Sequence, residues 1–570
     1  MLLTQSYHKN LISSVLGGLY SSRSCISRRT LPCAPVHSKR YSASTPGGDS
    51  DKTKSAAVLG GGITGLSTAW YLTRFAPGVP ITVYEQSERL GGWLRSKQVE
   101  YEGGTVLFEQ GPRTIRPWTI AGLVTIDMIR QLGLESELLI IPKTSPAAKN
   151  RFIYYPDRLN QLPGDIASVI LSFRLPVMKG VFSGMIGEPF RRRRPTDIED
   201  ESVGSFLTRR FNKSLANNLA SAVLHGIYAG DVDQLSAKSL FPGLWRSEEI
   251  HGSLMRGVFG KGEETLDDQV VRAELHKDNQ GICSNMSSAS VYTFKKGIET
   301  LSLALTKELE ANPNVTIKTK FPIQGLSYTS GNPLPVKIMH LSTPPTHHSH
   351  TISTLSAASL ASLLPTATPS PSLSAISAVT VLVVNLYFRT PSLHRVKGFG
   401  YLIPKSIPES ANPHHALGVI FDSDTSPTTE TGTKVTVMLG GHYWSSRSTY
   451  PDDEEAVRMA TETLERHLRI TEKPVLSNVT LQRGCIPQYH VGHNERLGRA
   501  HSDLMRSFRG RLSVAGSSFG GVGLNDCVRG ARKVAKGVAE AMRGQSEEDR
   551  GLTGLELWSE GGIKWVSKTE

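Results

Sequence analysis

The chain has 570 residues, too many for one hydrophobic core, and at about 100–200 residues per domain it should hold two to four domains. Its hydrophobic content of 38% and aromatic content of 7% support packed cores and exclude wholesale disorder. The formal net charge is +13, but much of that excess sits in the first 50 residues, where Lys9, Arg23, Arg28, Arg29, Lys39 and Arg40 face only Asp49. Cys25, Cys33, Cys283, Cys485 and Cys527 are scattered and form no CxxC, which excludes a disulfide framework and a cysteine-built metal site.

Residues 1–45 are Ser-rich, basic and free of acids, without a long apolar run, which reads as a mitochondrial transit peptide. Residues 56–65, AAVLGGGITG, then join an apolar strand to a helix marked by Leu66, Ala69 and Trp70. The spacing Gly60-x-Gly62-x-x-Gly65 suits a turn that brings backbone N–H groups and a helix N-terminus to a pyrophosphate. Residues 81–84 read as a second strand, and Glu85 at its end is placed to accept the hydroxyls of an adenosine ribose. The following ERLGGW, residues 88–93, adds a basic residue and a glycine pair that a nicotinamide site does not need and a buried FAD does. Residues 106–113, VLFEQGPR, read as a strand ending in a Gly-Pro turn, with a helix through Leu123, Ile126, Ile129 and Leu132 after it.

From 145 to 260 the chain turns helical and apolar. Residues 166–190 form an apolar stretch interrupted by Arg174 and Lys179, and Arg191, Arg192, Arg193 and Arg194 follow it. Neither this stretch nor residues 373–388 read as a transmembrane helix, but apolar helices beside a basic cluster suit a surface that dips into anionic lipid. Residues 262–290 are polar and read as an insertion or mobile loop. His347, His348 and His350 lie in a Ser/Thr/Pro-rich segment and read as a solvated loop, not a metal site. A helix at 300–309 and strands at 315–317, 323–326 and 350–355 return the chain to the first domain, and strands at 379–388, 398–404, 417–422 and 434–441 suggest a mixed or antiparallel sheet walling a cavity. Residues 456–468 form a helix. A strand at 512–515 leads to a second glycine-rich turn and a helix with Val528, Ala531, Ala535, Val538 and Met542 on one face.

GGGITG, Glu85 and ERLGG together resemble the FAD oxidase superfamily. NRFIY at 150–154, GFGYLIP at 398–404, VTVMLGG at 435–441, GCIPQY at 484–489 and GLNDCVRG at 523–530 make the chain similar to the protoporphyrinogen oxidase family in its mitochondrial form. The resemblance implies an α/β fold: a discontinuous Rossmann-like FAD domain at 55–143, 291–355 and 505–545, a mixed-sheet substrate domain at 376–500 and a helical membrane-associated domain at 145–260, with a tail at 546–570. It implies oxidation of protoporphyrinogen IX to protoporphyrin IX by FAD, with O₂ as acceptor and H₂O₂ released, peripherally on the mitochondrial inner membrane against anionic lipid. No metal and no nucleic acid are implied, and a homodimer and a contact with ferrochelatase stay open.

By the same resemblance Gly60, Gly61, Gly62, Ile63, Thr64, Gly65, Glu85, Gln86, Arg89, Trp93, Gly111, Pro112, Arg113, Thr114, Ile323, Val522, Gly523 and Leu524 contact FAD. Phe399, Gly400, Leu402 and Met438 pack the macrocycle, Arg151 pairs with a propionate, and Arg113 is the candidate catalytic residue. Tyr401 departs from the family, which often has His there. The rival expectations are an amine or polyamine oxidase of the same superfamily, with Cys527 in its last FAD segment, and a non-catalytic flavoprotein scaffold.

Overall fold

The computed structural model describes residues 54–163, 175–259, 263–275, 279–425, 431–544, 552–559 and 562–567. The transit-peptide segment 1–45 and residues 166–174 of the apolar stretch lie outside the described residues.

Strand Ala56–Leu59 is the centre of the first domain, and all four of its side chains are fully buried. An apolar strand covered on both faces belongs inside a parallel sheet. That sheet has the order Val315–Lys318, Ile81–Tyr84, Ala56–Leu59, His350–Ser353, Leu512–Val514, with every pairing parallel. Its strands come from three distant parts of the chain, as expected of a discontinuous domain. Ala56 and Val58 face helices Ile63–Phe75 and Leu524–Arg543, whose Leu66, Trp70, Val528 and Val538 fill the core between them. Ala57 and Leu59 face the opposite side, where helix His493–Phe508 contributes Leu497, Leu504 and Phe508.

A seven-stranded sheet forms the second domain, in the order Leu476–Pro487, Ala378–Phe388, Thr433–Gly440, Ala416–Ile420, Gly400–Leu402, Phe152–Tyr154, Leu159–Gln161. The four strands expected between 379 and 441 are all present and pair antiparallel. Phe152–Tyr154 pairs parallel to Gly400–Leu402, so part of the stretch expected to be helical completes this sheet. One sheet face carries Leu382, Val384, Val435 and Val437 against Ala456, Met459 and Leu464 of helix Asp453–Leu468. The helices between 203 and 259 surround a separate core of Phe206, Phe211, Leu219, Leu224 and Trp245.

Residues 262–290 are not a loop. Strand Glu263–Thr265 pairs with Trp565–Ser567 from the tail, and helix Leu266–Leu275 is joined by ion pairs to helix Leu524–Arg543. Their polarity has a partner: Asp268 meets Arg529 at 2.7 Å, and Glu274 meets Arg532 and Lys536, each at 2.7 Å. Among the described residues no helix is long and apolar enough to cross a membrane, and no His/Cys/Asp/Glu group could hold a metal ion.

The histidine-rich segment is not a solvated loop either. His348 and His350 are buried in strands, and the His348 Nε2 lies 3.0 Å from the Tyr84 hydroxyl. Burial pulls the His348 imidazole down from 6.5 to about 4, with Lys318, His340 and His347 adding to the shift. The unfolded chain therefore takes up a proton that the folded chain refuses between those two values. The stability this gives is complete above pH 6.5 and lost as pH falls to about 4. The Tm of His348→Gln should fall less steeply than that of the parent over this interval in a thermal melt series, and parallel slopes would show that His348 does not titrate this way.

Candidate active site

The first glycine turn separates what the protein needs from what a ligand needs. Gly60 has φ +100°, and its N–H donates to the Tyr84 carbonyl at 2.8 Å. A Cβ on Gly65 would lie 1.8 Å from the Gly60 oxygen, and one on Gly61 would lie 2.4 Å from Leu90 Cδ2, so packing alone demands both glycines. Gly62 is different. Its φ of −73° suits any residue, and an added Cβ would meet only the Gly92 Cα at 3.8 Å. Gly62 caps helix Ile63–Phe75, which carries Ile63 and Thr64 in its first turn, and the space over it is a cradle that a side chain would fill.

Glu85 stands at the rim of that cradle. Its carboxylate accepts from Gly61 N at 2.7 Å, from Ser87 N at 2.8 Å and from Ser87 Oγ at 2.7 Å. Gln86 beside it is exposed. Half-buried Ile323 begins strand Ile323–Tyr328, and Phe321 N donates to the Glu85 carbonyl at 2.8 Å, so the returning chain runs past the same rim. Arg89 was expected to touch the cofactor, and its guanidinium is engaged with protein. It donates to the carbonyls of Leu90, Gly92 and Leu94 and pairs with Glu299 at 3.0 Å. It thereby shapes the loop that lays Gly91 against Gly61, N to O at 2.8 Å, and leaves Trp93 43% exposed.

Gly111 packs on this loop, with its would-be Cβ 2.4 Å from the Trp93 oxygen. Pro112 is exposed and Thr114 half-buried. Arg113 points inward. Its Nη1 lies 2.5 Å from Asp422 Oδ1 with both side chains buried, and Asp422 Oδ2 also accepts from Thr436 Oγ1 at 2.6 Å. With Glu109, Asn385 and Lys434 they line a small cavity between the two domains. Burial pushes the Glu109 carboxyl up to about 7.

The second glycine turn lies against the first. Helix Leu524–Arg543 begins at Gly523, and the Asp526 carboxylate accepts from Gly523 N at 3.2 Å and is pushed up to about 6 by burial. Val522 and Leu524 flank Gly523 and are half-buried. Tyr489, which sequence reasoning missed as a site residue, ties this turn down. Its hydroxyl donates to the Ser517 carbonyl and accepts from Gly521 N at 2.9 Å. The signal for it was its place in GCIPQY at 484–489. Cys527 is buried, and that burial pushes its thiol up to about 12, so it is not a thiolate ready to attack a flavin.

On the second domain, Leu402, Gly418, Met438 and Val383 sit opposite one another across four strands and share one face. Gly418 has no side chain, and a Cβ there would lie 2.9 Å from Leu402 Cδ2. On the same face, Asn385 donates to the Glu109 carbonyl at 3.0 Å and Gln482 to the Gln110 carbonyl at 2.8 Å, so this face abuts the Gly-Pro turn. Gly400 has φ +132°, and a Cβ there would lie 2.1 Å from the Val419 oxygen, a structural need independent of any ligand. Half-buried Phe399 lies just before the strand, its N–H on the Asn150 carbonyl at 3.1 Å. Half-buried Arg151 precedes strand Phe152–Tyr154, which borders Gly400–Leu402. Tyr401 faces the opposite side, with its hydroxyl 3.0 Å from His467 Nδ1, so its departure from the family lies away from the Leu402–Met438 row.

The residues present fit FAD, since an open cradle at Gly62, a carboxylate at its rim and two adjacent helix N-termini meet in one place. Gly62→Val should therefore fold with little change in Tm and purify without flavin, as read from the visible spectrum. Gly65→Val should lose stability as well, and bound flavin in Gly62→Val would overturn the assignment of the cradle.

Residues 63–539 match the family model described as flavin containing amine oxidoreductase. The protoporphyrinogen oxidase of Schizosaccharomyces pombe is 39% identical, over 86% of this chain and 100% of the relative. That of Homo sapiens is 34% identical, over 85% and 98%. Among solved structures, reduced UDP-galactopyranose mutase superposes with a TM-score of 0.61 at 13% identity, covering 89% of this chain and 99% of that one, a likeness of fold alone. The family model and this full-length similarity carry one conclusion: the chain belongs to the flavin containing amine oxidoreductase family, on its protoporphyrinogen oxidase branch.

Proposed function

We infer that this chain is an FAD-dependent oxidase that converts protoporphyrinogen IX to protoporphyrin IX, with O₂ as the acceptor and H₂O₂ as the second product. The observation that carries this reading is full-length similarity to protoporphyrinogen oxidases on a chain whose flavin cradle is complete. Bound FAD supplies the hydride acceptor. The rest is positioning by the protein. The N-terminus of helix Leu524–Arg543 offers unpaired N–H groups and a positive dipole end to negative charge. Arg113, held by Asp422, fixes the inner wall between the domains. Leu402 and Met438 offer an apolar row to a flat macrocycle, with Phe399 and Gly400 at its edge. An amine oxidase is less supported, since the full-length relatives are protoporphyrinogen oxidases and the buried, protonated Cys527 thiol does not suit the covalent flavin some amine oxidases carry.

The macrocycle also carries two propionates, and an apolar row alone cannot fix their direction. Arg151 adjoins that row through strand Phe152–Tyr154, and a guanidinium matches a carboxylate with two parallel donors. Arg151→Ala should keep its FAD and lose about 1.5–3 kcal/mol of transition-state binding, roughly tenfold to 150-fold in kcat/KM. An unchanged kcat/KM in the flavin-replete variant would remove Arg151 from the site.

A peripheral seat on the mitochondrial inner membrane is supported by the basic leader and by one surface patch. Ile186 is 74% and Phe190 85% exposed, directly before Arg191, Arg192 and Arg193, which are also exposed. Arg194 is not part of that basic surface, since it turns inward to Glu248 at 3.3 Å and lies 3.6 Å over the Trp245 ring. Beneath the patch Glu188 is fully buried, pairs with Arg210 and accepts from Ser253 Oγ at 2.6 Å and Leu254 N at 2.8 Å. Large apolar groups beside cations on a rigid base suit anionic lipid. The double variant Ile186→Asp, Phe190→Asp should keep its Tm and fail to float with anionic vesicles, and undiminished flotation would dismiss the patch.

A further inference from the structure

Where helix Ser221–Tyr228 meets the Leu402–Met438 face, two imidazoles touch. His225 Nε2 and His442 Nε2 are 2.9 Å apart. His225 is 2% exposed, and its Nδ1 lies 2.6 Å from the Ile403 carbonyl. A carbonyl can only accept, so His225 carries its proton on Nδ1 and presents a lone pair at Nε2. His442 Nε2 must then donate to it, which leaves the His442 Nδ1 as a lone pair. No donor among the described residues is bonded to that atom.

The pair is fastened to the apolar row. A Cβ on Gly226, next to His225, would lie 2.9 Å from Leu402 Cδ2. His442 N donates to the Ala229 carbonyl at 2.8 Å, and Ala229 shares an apolar cluster with Val381, Val383, Leu417, Met438 and Tyr443. His225 is fully enclosed while His442 is half-buried, so only the second ring has a way out. The Tyr443 ring lies 4.0 Å from His442 and 4.9 Å from His415, centroid to centroid. Burial holds His442 down at about 4, with Lys405 and His415 adding to the shift and Asp231 opposing it. Lys405 is itself paired with Asp231 at 2.6 Å and Asp233 at 2.8 Å. The charged and titratable groups around His442 are thus His225, Asp231, Lys405, His415 and Tyr443. At neutral pH it is an uncharged acceptor.

We propose that His442 Nδ1 takes the proton that the macrocycle gives up as each hydride leaves, a pyrrole N–H proton in two of the three oxidations, with His225 holding the ring in that tautomer. This rests on the reading that the Leu402–Met438 row receives the tetrapyrrole. Each two-electron oxidation breaks one C–H bond, whose hydrogen and electron pair go to the flavin. The bond that breaks next is the N–H beside it in two of the three oxidations and a second meso C–H in the third, so the product keeps two N–H and four meso C–H bonds. Its electron pair completes the new double bond and its proton goes to the imidazole, then to water on the open side. A macrocycle that has lost hydride is a cation with an acidic N–H, so an acceptor of low basicity is enough. O₂ later takes up the hydride's hydrogen with its two electrons and, with one proton from water, leaves as H₂O₂.

The test is anaerobic reduction of the FAD-loaded protein by protoporphyrinogen in a stopped-flow instrument. His442→Ala should reduce at least about 10²-fold more slowly, the usual contribution of a positioned proton acceptor, with flavin content and Tm preserved. Free imidazole should restore the rate, and His442→Gln, which accepts a hydrogen bond but cannot take the proton, should stay slow. Reduction of His442→Ala at the parent rate, or a loss that imidazole does not repair, would overturn the proposal. If the parent protein itself binds FAD and is not reduced by protoporphyrinogen, the substrate reading fails instead.

Discussion

The fold depends on how closely helix Ile63–Phe75 is pressed onto strand Ala56–Leu59. The Gly65 backbone leaves no room for a methyl group beside the Gly60 oxygen, and at that distance the helix N-terminus is carried over the strand ends. A second helix then has to lie against the first, because Leu66 and Trp70 need cover that the sheet alone does not give. Helix Leu524–Arg543 supplies it with Val528 and Val538, and so the last part of the chain is brought to the first. Its own glycine turn arrives beside Thr64, whose Oγ1 lies 3.6 Å from where a Cβ on Gly516 would stand. Two glycine-rich turns that lie more than 400 residues apart in the chain are brought side by side because of a packing need.

The two domains meet through buried polar groups, and this constrains what the interface can do. Arg113 and Asp422 are paired with almost no exposure, joined to Thr436 and Asn385 by hydrogen bonds. Such a pair is weak evidence for stability, since desolvation opposes attraction, but removing one partner costs about 3–5 kcal/mol by stranding the other. Direction is what it supplies. A buried guanidinium paired to a carboxylate that Thr436 also holds cannot swing freely, so the Gly111–Thr114 turn and the Leu402–Met438 face of the sheet keep a fixed relation. An apolar contact of the same area would have allowed sliding.

Much of this was legible in the sequence because it was local. The strand, turn and helix at 56–75 follow from glycine spacing and apolar period, and the strands between 379 and 441 follow from β-branched runs between turn residues. What was not legible depended on partners far away. Residues 262–290 look like a loop because Asp267, Asp268 and Glu274 are polar, yet their charges are answered by Arg529, Arg532 and Lys536 some 260 positions on. His348 looked solvated in its Ser/Thr/Pro-rich setting, and only pairing with the first domain buries it against Tyr84. Arg194 reads as a surface charge in a run of four, and nothing local says that Trp245 and Glu248 will draw it in. Tyr489 was visible as part of a motif, but its bonds to residues 517 and 521 belong to the tertiary structure.

The glycines show where ligand and protein place separate demands on one sequence. Gly60, Gly400 and Gly516 have positive φ, and Gly61, Gly65 and Gly418 are hemmed in by neighbours, so the fold explains each of them without a ligand. Gly62 and Gly520 have neither reason. Their backbones are not in the left-handed region, and an added Cβ would meet one distant atom at Gly62 and nothing at Gly520. A position that tolerates a side chain sterically, yet lacks one at the mouth of each turn, is kept open for something outside the chain. Gly62 caps helix Ile63–Phe75 and Gly520 comes just before the cap of helix Leu524–Arg543, so each open position stands next to a helix N-terminus, which suits an anion able to reach both turns. A dinucleotide has the length for that, and on the proposed reading the carboxylate of Glu85, which already accepts from Gly61 N, would accept what its sugar can donate.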